Sequence, residues 1–156
     1  MNKLIIRGSE EDLKKIRIKL GGTEDKSLWE LNFSKRGIFD LLFPMPKELK
    51  DTTSPTDSPN WYDWALANWG TKWGDYETEL VDDYKRIVFT FQSAWGPPII
   101  GVEHIVSDFP ELSFTLLYQE PGMCFKGRNF FENGECVSET REEYDPDEEV
   151  FGHMGG

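Results

Sequence analysis

The side chains best suited to catalysis or metal binding in this 156-residue sequence are two histidines, two cysteines and 29 carboxylates, and their spacing favours no particular reaction. His104 lies beside Glu103 on a stretch that reads as a helix, where a structural or surface role is expected over that of a catalytic base. His153 falls in an acidic C-terminal segment. Cys124 and Cys136 form neither a CxxC pair nor a zinc signature, so no structural metal is expected. A Cys124 nucleophile would need His104 beside it in space; a buried or half-buried thiol is the expectation. No GxGxxG or GxxxxGK[ST] loop is present to cradle a phosphate. Asp63, Asp75 and Glu120 can be drawn into one cleft, but hydrogen bonds from Asp63 and Asp75 to indole or backbone N–H groups are the simpler use of them. The chain is therefore not expected to be an enzyme, and no catalytic residue, cofactor or metal is assigned.

Aromatic residues are more informative. The segment NWYDWALANWGTKWGD places Trp61, Trp64, Trp69 and Trp73, four of six tryptophans, within residues 60–75. An indole buries a large apolar body and asks for a partner for its N–H, so such a cluster anchors a core or forms a binding surface. Core packing is the expectation, with Trp64 and Trp69 mostly buried, while all four stay binding candidates. Phe125, Phe130 and Phe131 accompany Lys126 and Arg128 on a strand, a small platform on which unpaired bases can stack.

The formal net charge is −12, and it is unevenly spread. Residues 132–150 hold nine acids against Arg141 alone, leaving −4 for everything else. A solvated acidic tail is the ordinary reading; a basic protein partner and mimicry of a phosphate backbone are the functional ones. The same acidity opposes nucleic-acid binding, whose affinity rests on cations. No run approaches the ~20 apolar residues of a membrane span, nothing near the start resembles a signal peptide, and two cysteines are too few for a disulfide scaffold. A reduced, cytoplasmic protein is expected.

Periodicity supplies the elements that hold these groups. A strand over 3–7 leads to a helix capped by Ser9, with Asp12 three residues on, and ended by Gly21-Gly22. Residues 28–33 alternate like a strand, 37–43 are apolar, and 50–59 form a polar loop. Ser58 and Pro59 fit the start of the tryptophan helix, which stops near Gly70. Strands follow over 77–81 and 85–91, a helix from Pro97 to about Asp108, and strands over 112–120, 124–131 and 135–139, the last two joined at Asn133-Gly134. This order predicts an α+β, ferredoxin-like fold, with helices on one face of a mostly antiparallel sheet. One domain over 1–141 is expected, with a possible seam at 50–59, followed by a flexible acidic tail over 142–156.

Five stretches carry a family resemblance: FPMPKEL at 43–49, NWYDWALANWGTKWGD, FQSAWGPP at 91–98, FPELSF at 109–114 and YQEPGMCFKG at 118–127. In this order they resemble the successive signatures of the YubB-like ferredoxin-fold family of plasmid and bacteriophage proteins. Members often start with a motif resembling N-W-C-x-N and carry a large insertion before the tryptophan helix; both are missing here. The resemblance implies the fold and a mobile-element origin, and it supplies no catalytic residues.

The resulting expectation is a small acidic accessory protein that acts by binding a host or element-encoded protein with a basic surface, in its sharpest form an inhibitor of host defence. Binding is assigned to Trp61, Trp64, Trp69 and Trp73, to Asp63 and Glu120, to Phe125 and Phe130, and to the acids Glu142, Glu143, Asp145, Glu148 and Glu149. A single-stranded nucleic-acid module using the sheet aromatics, and a small-molecule-binding protein or enzyme, are the alternatives.

Overall fold

Leu4 and Ile6 alternate with Lys3, Ile5 and Arg7, and that period of two makes the first strand two-sided. In the computed structural model, which describes residues 1–23, 26–120 and 125–143, this strand, β1 (Asn2–Arg7), lies inside a six-stranded sheet. The others are β2 (Asp75–Asp83), β3 (Arg86–Ser93), β4 (Ser113–Glu120), β5 (Phe125–Glu132) and β6 (Glu135–Glu143). Their order is β2-β3-β1-β4-β5-β6, and every neighbouring pair is antiparallel. Leu4 and Ile6 face the helices; Lys3, Ile5 and Arg7 face away.

Among the described residues, five α-helices cover one side: α1 (Glu10–Lys19), α2 (Ile38–Leu42), α3 (Lys47–Lys50), α4 (Trp61–Asn68) and α5 (Ile99–Asp108). Their inward residues, including Leu13, Ile16, Phe39, Ala65, Val102 and Ile105, join a single core with Leu4, Phe89, Phe91, Phe114 and Phe131 of the sheet. Phe39 meets Phe91 edge-on at 5.8 Å and Phe33 meets Phe89 at 4.9 Å. Burying each such ring stabilises the fold by about 1.5–3 kcal/mol. The α+β, ferredoxin-like class expected from the element order is the class observed.

Several boundaries differ from the sequence reading, each for a local reason. Residues 28–33 are not a strand: Ser27 accepts the Trp29 N–H at 3.1 Å while Glu30 accepts the Ser27 N–H at 2.8 Å, a capping box that closes a 3₁₀ turn over Leu28–Glu30. The cap of α4 is Asn60 rather than Ser58, because the Asn60 side chain accepts the Asp63 N–H at 2.9 Å. The apolar stretch 37–43 becomes α2. Ser9 caps α1 as expected. At the β5–β6 turn Asn133 and Gly134 both adopt positive φ, 57° and 85°, the conformation an Asn-Gly hairpin turn requires.

The last strand also runs further than 135–139. It continues to Glu143, so Glu142 and Glu143, expected in a flexible tail, are paired with Lys126 and Phe125 of β5. The rest of that expected tail, with Asp145, Glu148 and Glu149, lies outside the described residues, as do Cys124 and His153.

Candidate functional site

The tryptophan segment divides between core and surface. Trp69 is 6% exposed and donates its indole N–H to the Phe43 carbonyl at 2.9 Å. Trp64 stacks on Phe43 at 5.7 Å and meets Trp69 edge-on at 5.1 Å. Both are mostly buried, as expected, Trp69 within the core and Trp64 packed against it. Trp61 is half-buried beside Tyr62, and Trp73, beyond the end of α4, is 55% exposed.

The three carboxylates do separate work. Asp63 accepts from Asn60 Nδ2 at 3.0 Å and completes the cap of α4. Asp75 is buried and accepts the Ile38 and Phe39 N–H groups, both at 2.9 Å, together with the Thr78 hydroxyl. It thereby caps α2, whose own N-cap is Gly37, a residue without a side chain; a Cβ there would overlap the Asp75 carboxylate. Burial raises the Asp75 pKa, and its hydrogen bonds oppose that rise without cancelling it. Glu120 is half-exposed at the end of β4, next to Phe125 of β5. No hydrogen bond or ion pair joins Asp63, Asp75 and Glu120 among the described residues.

His104 stacks on Phe43 at 4.6 Å, a packing role. Cys136 is an exposed free thiol on β6 whose pKa is raised, first by desolvation and then by Glu139, which disfavours the reactive thiolate. Among the described residues no group of His, Cys, Asp and Glu is placed to hold a metal ion, and no helix is long and apolar enough to cross a membrane.

Strand alternation breaks up the expected phenylalanine platform. Phe131 is in the core and Phe125 faces the helix side, where the Arg141 guanidinium lies 4.6 Å from its ring centre. Phe130 alone shares the helix-free face with Lys126 and Arg128. Phe130 and Phe131 are adjacent, so in a strand they cannot face the same way, which the spacing itself signals.

What the fold does present, among the described residues, is an edge strand without an outer partner. Strand β6 has all nine of its residues exposed and carries Glu135, Glu139, Glu142 and Glu143 against Arg141. Among the described residues no strand pairs with its outer side. The opposite edge, β2, is interrupted by two register shifts, and the Ser34 hydroxyl donates to its Thr78 carbonyl at 2.9 Å. One edge is therefore plugged and irregular, and the other is long and acidic.

An antiparallel sheet with helices on one face and an open edge defines a ferredoxin-like α+β domain. The family model described as "Ferredoxin-like domain in Api92-like protein" matches residues 68–154, and the chain belongs to that family. Its fold is similar to the crystal structure of a protein api92 from Yersinia pseudotuberculosis, with a TM-score of 0.53 at 15% sequence identity over 69% of this chain. The match spans 40% of that protein's length. No curated protein matches the sequence.

Proposed function

We propose that the protein binds a basic segment of another protein along the outer edge of β6, by adding a strand to its own sheet. The observation that carries this reading is the nine-residue exposed edge with four glutamates. Unpaired backbone groups supply affinity to an incoming strand, and alternate side chains select its sequence. The glutamates reject acidic strands, including a second copy of this edge, and attract arginine or lysine. The five signature stretches support a phage or plasmid accessory protein acting in the bacterial cytoplasm. A host defence protein or nucleic-acid-binding protein, which carries the basic surface such an edge would select, is the partner class this reading favours.

Charge substitution tests it. Replacing Glu139, Glu142 and Glu143 together with glutamine is expected to weaken binding of an extended peptide of alternating arginine and valine by roughly tenfold, chiefly through slower association. The loss should shrink at high salt, where exposed charges are screened. Thermal stability should fall only modestly: Glu139 and Glu143 are exposed, and the loss is confined to the contact of Glu142 with the buried Lys126. Association measured by surface plasmon resonance at two salt concentrations gives both quantities. Unchanged or faster association of the substituted protein contradicts the reading.

A further inference from the structure

The helix-free face of the sheet carries the opposite charge from the edge. Lys3 and Arg7 stand on it from β1, Arg86 lies opposite Arg7 on β3, and Arg128 lies beyond Leu117 on β5. Arg7 is made less basic by burial and then by Arg86 and Arg128, so these charges act on one another; Lys3 is affected by burial and then by Arg86. Arg86 pairs with Asp82 at 3.2 Å, and Lys126, on the same face, pairs with Glu142 at 3.6 Å. Lys3, Arg7 and Arg128 have no ion-pair partner among the described residues. The carboxylates stay at the rim: Glu79 and Asp82 on β2, Glu142 on β6, and Glu132 and Glu135 beside the β5–β6 turn. Between the cations Ile5, Val88 and Leu117 form a small apolar cluster of their own. Mutually repelling cations over an apolar floor, in a chain of net charge −12, are stabilised by an arriving anion.

A second feature lies at the end of β3, between this face and α4, where Trp95 meets Tyr62 of α4 edge-on at 6.3 Å. Tyr76, opposite Gln92 on the helix-free side, meets Trp73 edge-on at 6.1 Å. The Lys72 ammonium lies 4.7 Å from the Trp73 ring centre and 5.6 Å from that of Trp95. Trp73 and Trp95 are 55% and 67% exposed. Trp95 is held at φ 68°, a region costly for a bulky residue, so its surroundings hold an indole in solvent against local preference.

We propose that this face binds single-stranded nucleic acid, with its backbone across Lys3, Arg7 and Arg128 and its bases against Trp73 and Trp95. The cationic zone runs from β3 through β1 and β4 to β5, about 14 Å at the usual strand spacing. That width accommodates one backbone, and the carboxylate rim repels the second strand of a duplex. A base has a π-face whatever its sequence, so stacking on the two indoles tolerates any strand. It also displaces Lys72 from the rings toward a phosphate. This site is separate from the β6 edge, and the two respond in opposite directions to neutralising the β6 glutamates, which strengthens oligonucleotide binding and weakens binding of the basic peptide.

The test is fluorescence anisotropy of a labelled oligothymidylate of about 12 nucleotides, titrated with the full chain over a series of salt concentrations. The parent is expected to bind, with affinity falling steeply as salt rises. Arg7→Gln with Arg128→Gln should weaken binding tenfold or more and reduce the log–log salt slope by about 1.4, the share of two phosphate contacts. Trp73→Ala with Trp95→Ala should weaken it by a similar factor with the slope unchanged. Quenching of the parent's tryptophan fluorescence by unlabelled oligonucleotide gives a readout that needs no variant. The proposal is overturned if the parent fails to bind at low salt, if duplex binds as tightly as single strand, or if the arginine pair alone matters and no quenching occurs.

Discussion

Truncating Trp69 to alanine is expected to destabilise the protein by about 3–5 kcal/mol, the range for removing a large buried aromatic residue. Trp69 links three parts of the helix layer: it follows α4 directly, its indole N–H is bonded to the Phe43 carbonyl beyond α2, and its own carbonyl accepts the Gly101 N–H of α5 at 3.1 Å. Removing the ring leaves a cavity under Trp64 and strips the Phe43 carbonyl of that donor. Trp73→Ala, at an exposed site, should stay within about 0.5 kcal/mol of the parent. Urea unfolding of the two variants separates core from surface within one tryptophan-rich segment. Equal midpoints would show that Trp69 does not anchor the layer.

Asp75→Ala should cost about 2–4 kcal/mol, because it leaves the Ile38 and Phe39 N–H groups without their acceptor at the start of a helix that has no side-chain cap of its own. The pH dependence carries an additional sign. The folded-state pKa of Asp75 is raised above its ordinary value of 3.8, so between the two values the native protein holds a proton that the unfolded chain has released. The contribution of this group is fully present below the unfolded pKa and is lost as pH rises through the folded value. Asp75→Asn removes that titration. The stability advantage of the parent over Asp75→Asn should therefore be greatest in acid and decline as pH rises through this window, measured by thermal unfolding of both proteins side by side. An advantage that grows with pH would mean that the hydrogen bonds outweigh desolvation at this carboxylate.

The sequence exposes the parts of this fold that depend on local pattern. Two-residue alternation in 86–91 marks a half-buried strand, Ser9 with Asp12 marks the start of α1, and Asn133-Gly134 marks the hairpin. Residues 28–33 mislead because Trp29, Leu31 and Phe33 alternate as in a strand, while the Ser27–Glu30 capping box that overlaps them is a short-range signal for a helical turn. The choice of Ser58 over Asn60 fails for a related reason: both are good caps, and the side-chain exchange between Asn60 and Asp63 decides between them. The capping of α2 by Asp75 joins residues 37 positions apart and has no local signature.

The interaction surfaces are legible to different degrees. The excess of acid after residue 132 is plain in the sequence, but not that Glu142 and Glu143 extend a strand, because the glutamates and Arg141 give no apolar alternation. The basic face is assembled from strands far apart in the chain; Lys3 and Arg7 become neighbours of Arg86 and Arg128 only once β1 sits between β3 and β4. A sharper signal was present in β1 itself, where Lys3, Ile5 and Arg7 occupy the side opposite Leu4 and Ile6. Trp95 stands outside the tryptophan-rich segment, and its exposure follows from a backbone conformation that sequence alone does not reveal.

The central claim, that the β6 edge accepts a basic strand, is tested most directly by hydrogen exchange with the arginine-valine peptide bound. Edge pairing ties up the outward backbone groups of β6 and leaves the rest of the sheet as it was. Slowed exchange is expected at alternate amides within residues 135–143, lost when Glu139, Glu142 and Glu143 are replaced with glutamine. Binding that leaves those amides unprotected, or that protects the helix-free face or the helix layer instead, would contradict it.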